Sequence, residues 1–288
     1  EGSRCHPLPP WRHLAAARFN TFNLTPAQVN FDLTSYGTSA VTQEQHAGEM
    51  LGDEAYAGAK NFENLERAVN RVLGHTYVCP THNLLGCLKL MVATMVPAGA
   101  TVASNSQWLA DVLAPRSIAV ADVRTQEDSV FTGNVDLERL RGALATGAVA
   151  LIELQAFADG MHPFNLANLK AVRALADQRG VRLVLDGSRI IENAWYIQRH
   201  EPGMSDRPVA DLVKQMVKMS HVLLLDGAQD PKGANGGILT TDHPGDHEKF
   251  VNEVVVYEGL HTYGGMSGRT MEVFARGIEE MCDESEVQ

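Results

Sequence analysis

"LLLDGAQDPKGANGG", Leu223 to Gly237, is the stretch that decides how this chain folds. A continuous apolar run ends in Asp226 and then meets a Gly-rich turn. A buried parallel strand delivers a loop into the crevice at its carboxyl end in this way. "VRLVLDGSR", Val181 to Arg189, repeats the form. Its apolar residues also run on with little alternation, so both segments belong inside a sheet covered on both faces.

Working outward from these two strands, the chain alternates strand and helix from about Tyr77 onward. "YVCPTH" precedes an apolar helical stretch, Leu84 to Val96, and "PAGATVASN" turns into another short strand. "SIAVADV" and "AVALIEL" are β-branched runs bounded by polar loops. In "NLANLKAVRALADQRG", Asn165 can cap a helix, Leu166, Leu169, Val172 and Leu175 line one stripe, and Gly180 is placed to end it. Helices are expected around Ile190 to Gln198, Val209 to Met219, Asp246 to Tyr257 and Met266 to Glu284. Strands separated by helices imply crossover connections and a mostly parallel α/β sheet between helices. Ligands of such sheets sit beyond the strand carboxyl ends, so function is sought in the loops after "YVCPTH", "ALIEL", "VRLVLDG" and "HVLLLDG".

Bulk composition narrows the partners. The chain has 288 residues, 44% of them hydrophobic, and a net charge of -11. Acidic and basic residues are interspersed, which argues against a nucleic-acid or anionic-membrane surface. No apolar run reaches the roughly 18 residues of a membrane helix, and no signal peptide is evident, so the expected location is the cytoplasm. Cys5, Cys79, Cys87 and Cys282 are scattered without CxxC spacing and read as reduced thiols rather than a disulfide frame or a zinc site.

Among polar residues, "VLDGSR" places Asp186 at a strand end and Arg189 three residues later. A carboxylate there can hold the ring-nitrogen proton of a cofactor and the Arg an anion; the plainer reading is a helix-capping Asp beside a surface Arg. In "GDEAYAG", Tyr56 can be a proton donor, a phosphate contact or a packed aromatic. The "DHPGDHE" cluster, Asp242 to Glu248, is explained by the dipole of a helix start, and no metal site is expected. Ser188, Cys79 and His82 have no recognisable triad partners.

In order along the chain, "FDLTSYGTSAVTQEQHAGEMLGDEAYAGA", "YVCPTH", "NVDLERL", "PFNLANLKAVRALA", "VLDGSRIIENAWYI" and "VVVYEGLHTYGGMSGRTMEVFARGIEEM" resemble the β-eliminating lyases, the family of tyrosine phenol-lyase and tryptophanase. The resemblance runs from about Arg18 to the C-terminus. It implies an aspartate-aminotransferase-like large domain over 31–288 after an N-terminal arm over 1–30, with the family's small C-terminal domain largely absent. It also implies a homodimer or homotetramer with a small-molecule site at the subunit interface.

The family uses pyridoxal phosphate, carried by a Lys in a Ser-x-Lys-Lys-Asp motif seven residues before a Gly-Gly pair. Gly236 and Gly237 supply that pair, and counting back seven gives Gln229, followed by the matching Asp230. An amide nitrogen cannot form the covalent link. Lys232, the nearby amine, lies three residues on, up to ~10 Å along an extended chain. The phosphate-binding Gln-Gly-Arg corresponds to Asn83, Leu84 and Leu85, the motif's Ser to Asp226 and its first Lys to Ala228. At ~4 Å and an effective dielectric of ~20, a like-charge pair costs about 4 kcal/mol, against about 8 kcal/mol for a micromolar ligand.

The Asn used on the ring hydroxyl aligns with Phe157 and the stacking aromatic with Trp108. Asp186 and Arg189 fall on the ring-nitrogen Asp and the hydroxyl-side Arg, Thr34 on a substrate-side Thr, Tyr56 on the Tyr reaching over from a neighbouring subunit, and Glu54 on a monovalent-cation ligand.

The resulting expectation is a repurposed member of the family acting without a cofactor on an aromatic or amino-acid-derived ligand in specialised metabolism. Its catalytic set is Asp186, Arg189, Tyr56 and Gln229, and its pocket is lined by Trp108, Phe157, Asn83, Asp226 and Thr34. The alternatives are a pyridoxal-phosphate lyase of carbon–carbon or carbon–sulfur bonds using Lys232, and a non-catalytic partner subunit.

Overall fold

A computed structural model describes residues 10–25, 28–29, 40–55, 59–127, 129–233 and 235–283. The chain divides into two compact units, residues 1–36 and 37–288. The first contains α1 (Pro10–Ala16) and a single 3-10 turn, Thr21–Asn23, with the Gln28 amide paired to the His13 ring at 3.1 Å.

The second unit opens with α2 (Gln43–Leu51) and α3 (Lys60–Ala68). Next come β1 (Tyr77–Thr81), α4 (Leu84–Met95), β2 (Thr101–Ser104), α5 (Gln107–Leu113), β3 (Ala119–Asp122), α6 (Leu137–Ala145) and β4 (Val149–Gln155). The chain continues through α7 (Leu166–Arg179), β5 (Arg182–Asp186), α8 (Ile190–His200), α9 (Val209–Met219), β6 (Val222–Asp226), β7 (Gly237–Thr241), α10 (Pro244–Tyr257) and α11 (Gly268–Glu280).

The strands form one sheet in the order β1-β7-β6-β5-β4-β2-β3. β7 is antiparallel to both its neighbours, and the pairs β6–β5, β5–β4, β4–β2 and β2–β3 are parallel. The expected mostly parallel sheet between helices is what the chain builds. α7 starts at an Asn165 cap, which accepts the Asn168 N–H, and ends at Gly180 in the left-handed conformation, as its sequence signals require. The sequence reading places no strand between β6 and the helix near 246; β7 occupies that interval as a short, fully buried strand.

Each strand sends alternate residues to opposite faces. Leu183, Leu185, Ile152, Leu223 and Leu225 pack with Leu169 of α7, Leu212 of α9 and Phe274 of α11. Leu151, Val184, Val222 and Leu224 pack instead with Leu88 of α4, Leu109 of α5 and Phe250 of α10. Burying one such side chain contributes about 1.5–3 kcal/mol, so the two covered faces fix strand register as well as stability. Among the described residues no helix is long and apolar enough to cross a membrane.

Candidate active site

The register of the central strands gathers five polar residues on one face. Ser104 lies opposite Glu153, Gln155 opposite Asp186, Asp186 opposite Leu224, and Asp226 two residues beyond Leu224. Glu153 and Gln155, like Leu224 and Asp226, are separated by the two-residue period that keeps side chains on one face. This face also carries Val184 and Leu224, so the polar row extends the α4–α5–α10 apolar layer to the strand carboxyl ends. Glu153, Asp186 and Asp226 are all buried.

Asp186 is held in place by its neighbours. Its Oδ1 accepts the Ser188 N–H at 3.0 Å and the Ser188 hydroxyl at 2.5 Å, and its Oδ2 accepts the Gln155 amide at 3.3 Å. Burial pushes its pKa up to about 6, with Asp226 adding to the rise and the Ser188 and Gln155 hydrogen bonds opposing it. Asp226 Oδ1 accepts the Ala228 N–H at 2.9 Å and so shapes the turn after β6. Capping α8 falls to another residue: Asp230 Oδ2 accepts the Ile191 N–H at 2.8 Å. Asp186 is therefore not a helix cap.

Arg189, at the start of α8, is partly buried rather than a surface residue. It is ion-paired to Glu192, and its guanidinium lies over the Phe157 ring at 4.8 Å. Phe157 adopts a left-handed backbone (φ 55°) and packs its ring 5.4 Å from that of Tyr196. The same connection carries Asp159, which sequence reasoning missed. Asp159 accepts the Ser106 hydroxyl and the N–H groups of Gln107 and Trp108, and so fixes the first turn of α5. Trp108, at the start of that helix, is half-buried against the α4 layer.

At the start of α4, the Asn83 side chain accepts the Gly86 N–H at 3.1 Å, Leu84 is buried and Leu85 is exposed. A second residue not found from sequence, Glu258, closes over this turn. Its Oε2 accepts the His82 N–H at 3.1 Å and pairs with His82 Nδ1 at 2.5 Å. A Cβ placed on Gly86 would meet Glu258 Oε1 at 2.9 Å, so the carboxylate presses directly on the helix start. Contacts of this kind join residues 176 positions apart, and no local pattern announces them.

Gln229 lies half-buried in the β6–β7 turn, where its carbonyl accepts the Lys232 N–H at 2.8 Å. Lys232 has a left-handed backbone (φ 58°) and lines a cavity of about 390 Å³ with Thr42, Gln45 and Glu280. Glu54 accepts the N–H groups of Gly268 and Arg269 at the start of α11. Thr34 and Tyr56 lie outside the described residues.

Comparison with known proteins gives three consistent results. A family model described as beta-eliminating lyase matches residues 31–273. The tyrosine phenol-lyase of Nostoc punctiforme is 35% identical over 289 residues, covering 96% of this chain and 62% of that protein. The tryptophanase of Salinibacter ruber is 33% identical, covering 95% of this chain and 61% of that protein. Among solved structures, the methionine gamma lyase CalE6 from Micromonospora echinospora superposes with a TM-score of 0.57 at 14% identity, covering 79% of this chain and 55% of that one. The chain thus spans about three fifths of the length of the curated relatives it matches.

These relatives correct one expectation. Tyrosine phenol-lyase and tryptophanase depend on pyridoxal phosphate, so the absence of a cofactor is not what kinship of this degree supports. The expectation rested on Gln229 in place of the cofactor-bearing Lys and on altered phosphate contacts, and neither removes the ring end of the site. That end fits the cofactor: Asp186 is a buried carboxylate fixed by three hydrogen bonds, as a partner for a ring nitrogen must be. The α4 end brings the carboxylate of Glu258 rather than a cation.

Proposed function

The chain belongs to the beta-eliminating lyase family, and from that premise we propose that it builds a small-molecule site at the carboxyl ends of β4, β5 and β6. Its ligand is aromatic or amino-acid-derived, and the chemistry is acid–base and centred on Asp186. The observation that carries this reading is Asp186 itself, a fully buried carboxylate that no helix needs as a cap and that three donors hold at a strand end.

Pyridoxal phosphate, when bound, supplies an electron-withdrawing ring that stabilises negative charge at a substrate carbon. Asp186 is the residue for its ring nitrogen, and Trp108 and Phe157 offer aromatic faces. Burial lifts Asp186 to about 6, still below neutrality, so at neutral pH it is the anion that a protonated ring nitrogen needs as its partner. Arg189 receives an anionic group by exchanging its Glu192 partner. Gln229 stands where the family keeps its cofactor-bearing Lys and acts as a hydrogen-bonding anchor. Asn83 and Asp226 line the phosphate end. The family resemblance assigns Thr34 and Tyr56 to the same site, Tyr56 in the role of a proton donor from a second copy in a homo-oligomer.

Absorbance titration with pyridoxal phosphate tests this reading. Binding that is weakened at least about tenfold in Asp186→Asn and unchanged in Lys232→Ala supports it. Binding that survives Asp186→Asn but vanishes with Lys232→Ala would transfer the site to Lys232 and its cavity.

A further inference from the structure

Glu153 is a carboxylic acid in the middle of β4, 1% exposed, two residues before Gln155 and on the same face of the sheet as Asp186. Two ionised carboxylates on neighbouring strands of a dry face are strongly disfavoured, so one of them keeps a proton. The hydrogen-bond donors decide which. Asp186 accepts three, from the Ser188 N–H, the Ser188 hydroxyl and Gln155. Glu153 accepts one, from the Ser104 hydroxyl at 2.7 Å. Ser104 Oγ in turn accepts the Ser106 N–H at 2.9 Å, which points the hydroxyl at Glu153 and fixes the pair to the start of α5. The charge therefore belongs on Asp186 and the proton on Glu153.

We propose that Glu153 is a positioning residue for Asp186: a neutral carboxylic acid, anchored by Ser104, whose protonation state governs the charge of the site carboxylate. Its bearing on catalysis rests on the reading of Asp186 given above; its bearing on Asp186 itself does not. Among the described residues, the titratable groups facing the pair are Asp226 from β6, the Cys87 thiol from α4 and Asp159 from the β4–α7 connection. None of these is a cation. Burial pushes Glu153 up to about 8, with Asp186 the next contributor and the Ser104 hydrogen bond opposing both. Burial also pushes the Cys87 thiol well up, so it stays neutral through the same range.

The test is a pH titration of the side-chain carboxyls by carbon-13 NMR on the protein without added ligand, assigned with Glu153→Gln and Asp186→Asn. Asp186 is expected to show a step near pH 6 and a second inflection near pH 8, where Glu153 ionises. Glu153→Gln should abolish the second inflection and keep the first. Asp186→Asn should lower the Glu153 midpoint. Ser104→Ala should raise it, and this variant carries the test if Glu153→Gln does not fold. A Glu153 midpoint in the ordinary range of about 4, or an Asp186 curve unchanged by Glu153→Gln, overturns the proposal. Pyridoxal phosphate binding measured on the same samples separates the two claims. Coupled titration without binding removes the functional reading alone, and binding without coupling removes Glu153 alone.

Discussion

Asp230 closes the N-terminus of α8 by accepting the Ile191 N–H at 2.8 Å, and this leaves Asp186, on the neighbouring strand, unused by any helix. The division of labour between two nearby acids is what turns a strand-end carboxylate into a site residue.

Asp186→Asn is the sharpest single change. The amide keeps the size of the side chain but loses the charge for a ring nitrogen, and a hydrogen bond to a charged group contributes about 1.5–3 kcal/mol. The expected outcome is pyridoxal phosphate binding weakened by roughly 10- to 100-fold with the thermal unfolding midpoint little changed. Calorimetric titration beside a melting curve measures both.

Replacing Glu258 should act on the other end. Glu258→Gln keeps a hydrogen-bond acceptor for the His82 N–H and removes a negative charge from the start of α4. Pyridoxal phosphate is expected to bind several-fold more tightly to the variant, while unphosphorylated pyridoxal binds as before. Equal changes for both ligands would mean that Glu258 does not face the phosphate end.

Two buried histidines work against stability on the acid side. Burial holds His75 and His221 down at about 4, and His75 Nδ1 lies 2.8 Å from the Thr240 hydroxyl. Both folded values lie below the unfolded value near 6.5, so the unfolded chain takes up protons first. The stability these two histidines contribute is therefore lost as pH falls from about 6.5 through about 4, and each tenfold difference in proton affinity between the two states costs about 1.4 kcal/mol. Urea unfolding at steps from pH 7 to pH 4 should show His75→Gln gaining stability relative to the native protein as pH falls, because the raised carboxyls of Glu153 and Asp186 act alike in both and cancel in the difference.

Gly277 is where α11 meets the turn after Gln229. A Cβ there would lie 2.0 Å from the Pro231 carbonyl oxygen and 2.6 Å from the Gln45 amide that donates to it. Gly277→Ala is expected to destabilise by about 1–3 kcal/mol through overpacking, read as a lower urea midpoint with an unchanged slope.

The parts of the fold legible in sequence are those whose cause is local. The unbroken apolar runs of β5 and β6 announce covered strands, and Asn165 and Gly180 bracket α7 because cap chemistry acts within a turn. β7 escaped because five residues that begin on the second glycine of a Gly pair offer no periodicity, and its antiparallel pairing with β1 joins positions more than 150 residues apart. At the site, Asp186 is legible from its strand-end position. Glu153, Asp159 and Glu258 are not, since each acquires its role from a partner on another element: Ser104, the start of α5, and His82. The mistaken expectation about the cofactor came from giving the missing Lys and the altered phosphate contacts more weight than the ring-end residues Asp186 and Arg189 that the sequence keeps.

The most direct test of a site centred on Asp186 with Gln229 in the lysine's place is covalent mapping. The protein is treated with one equivalent of pyridoxal phosphate, reduced with borohydride and digested, and its peptides are analysed by mass spectrometry. The expected result is no label on the segment from Val222 to Thr241 in the native chain, and label on residue 229 in Gln229→Lys that is lost when Asp186→Asn is added. Stoichiometric label on Lys232 of the native chain would contradict it.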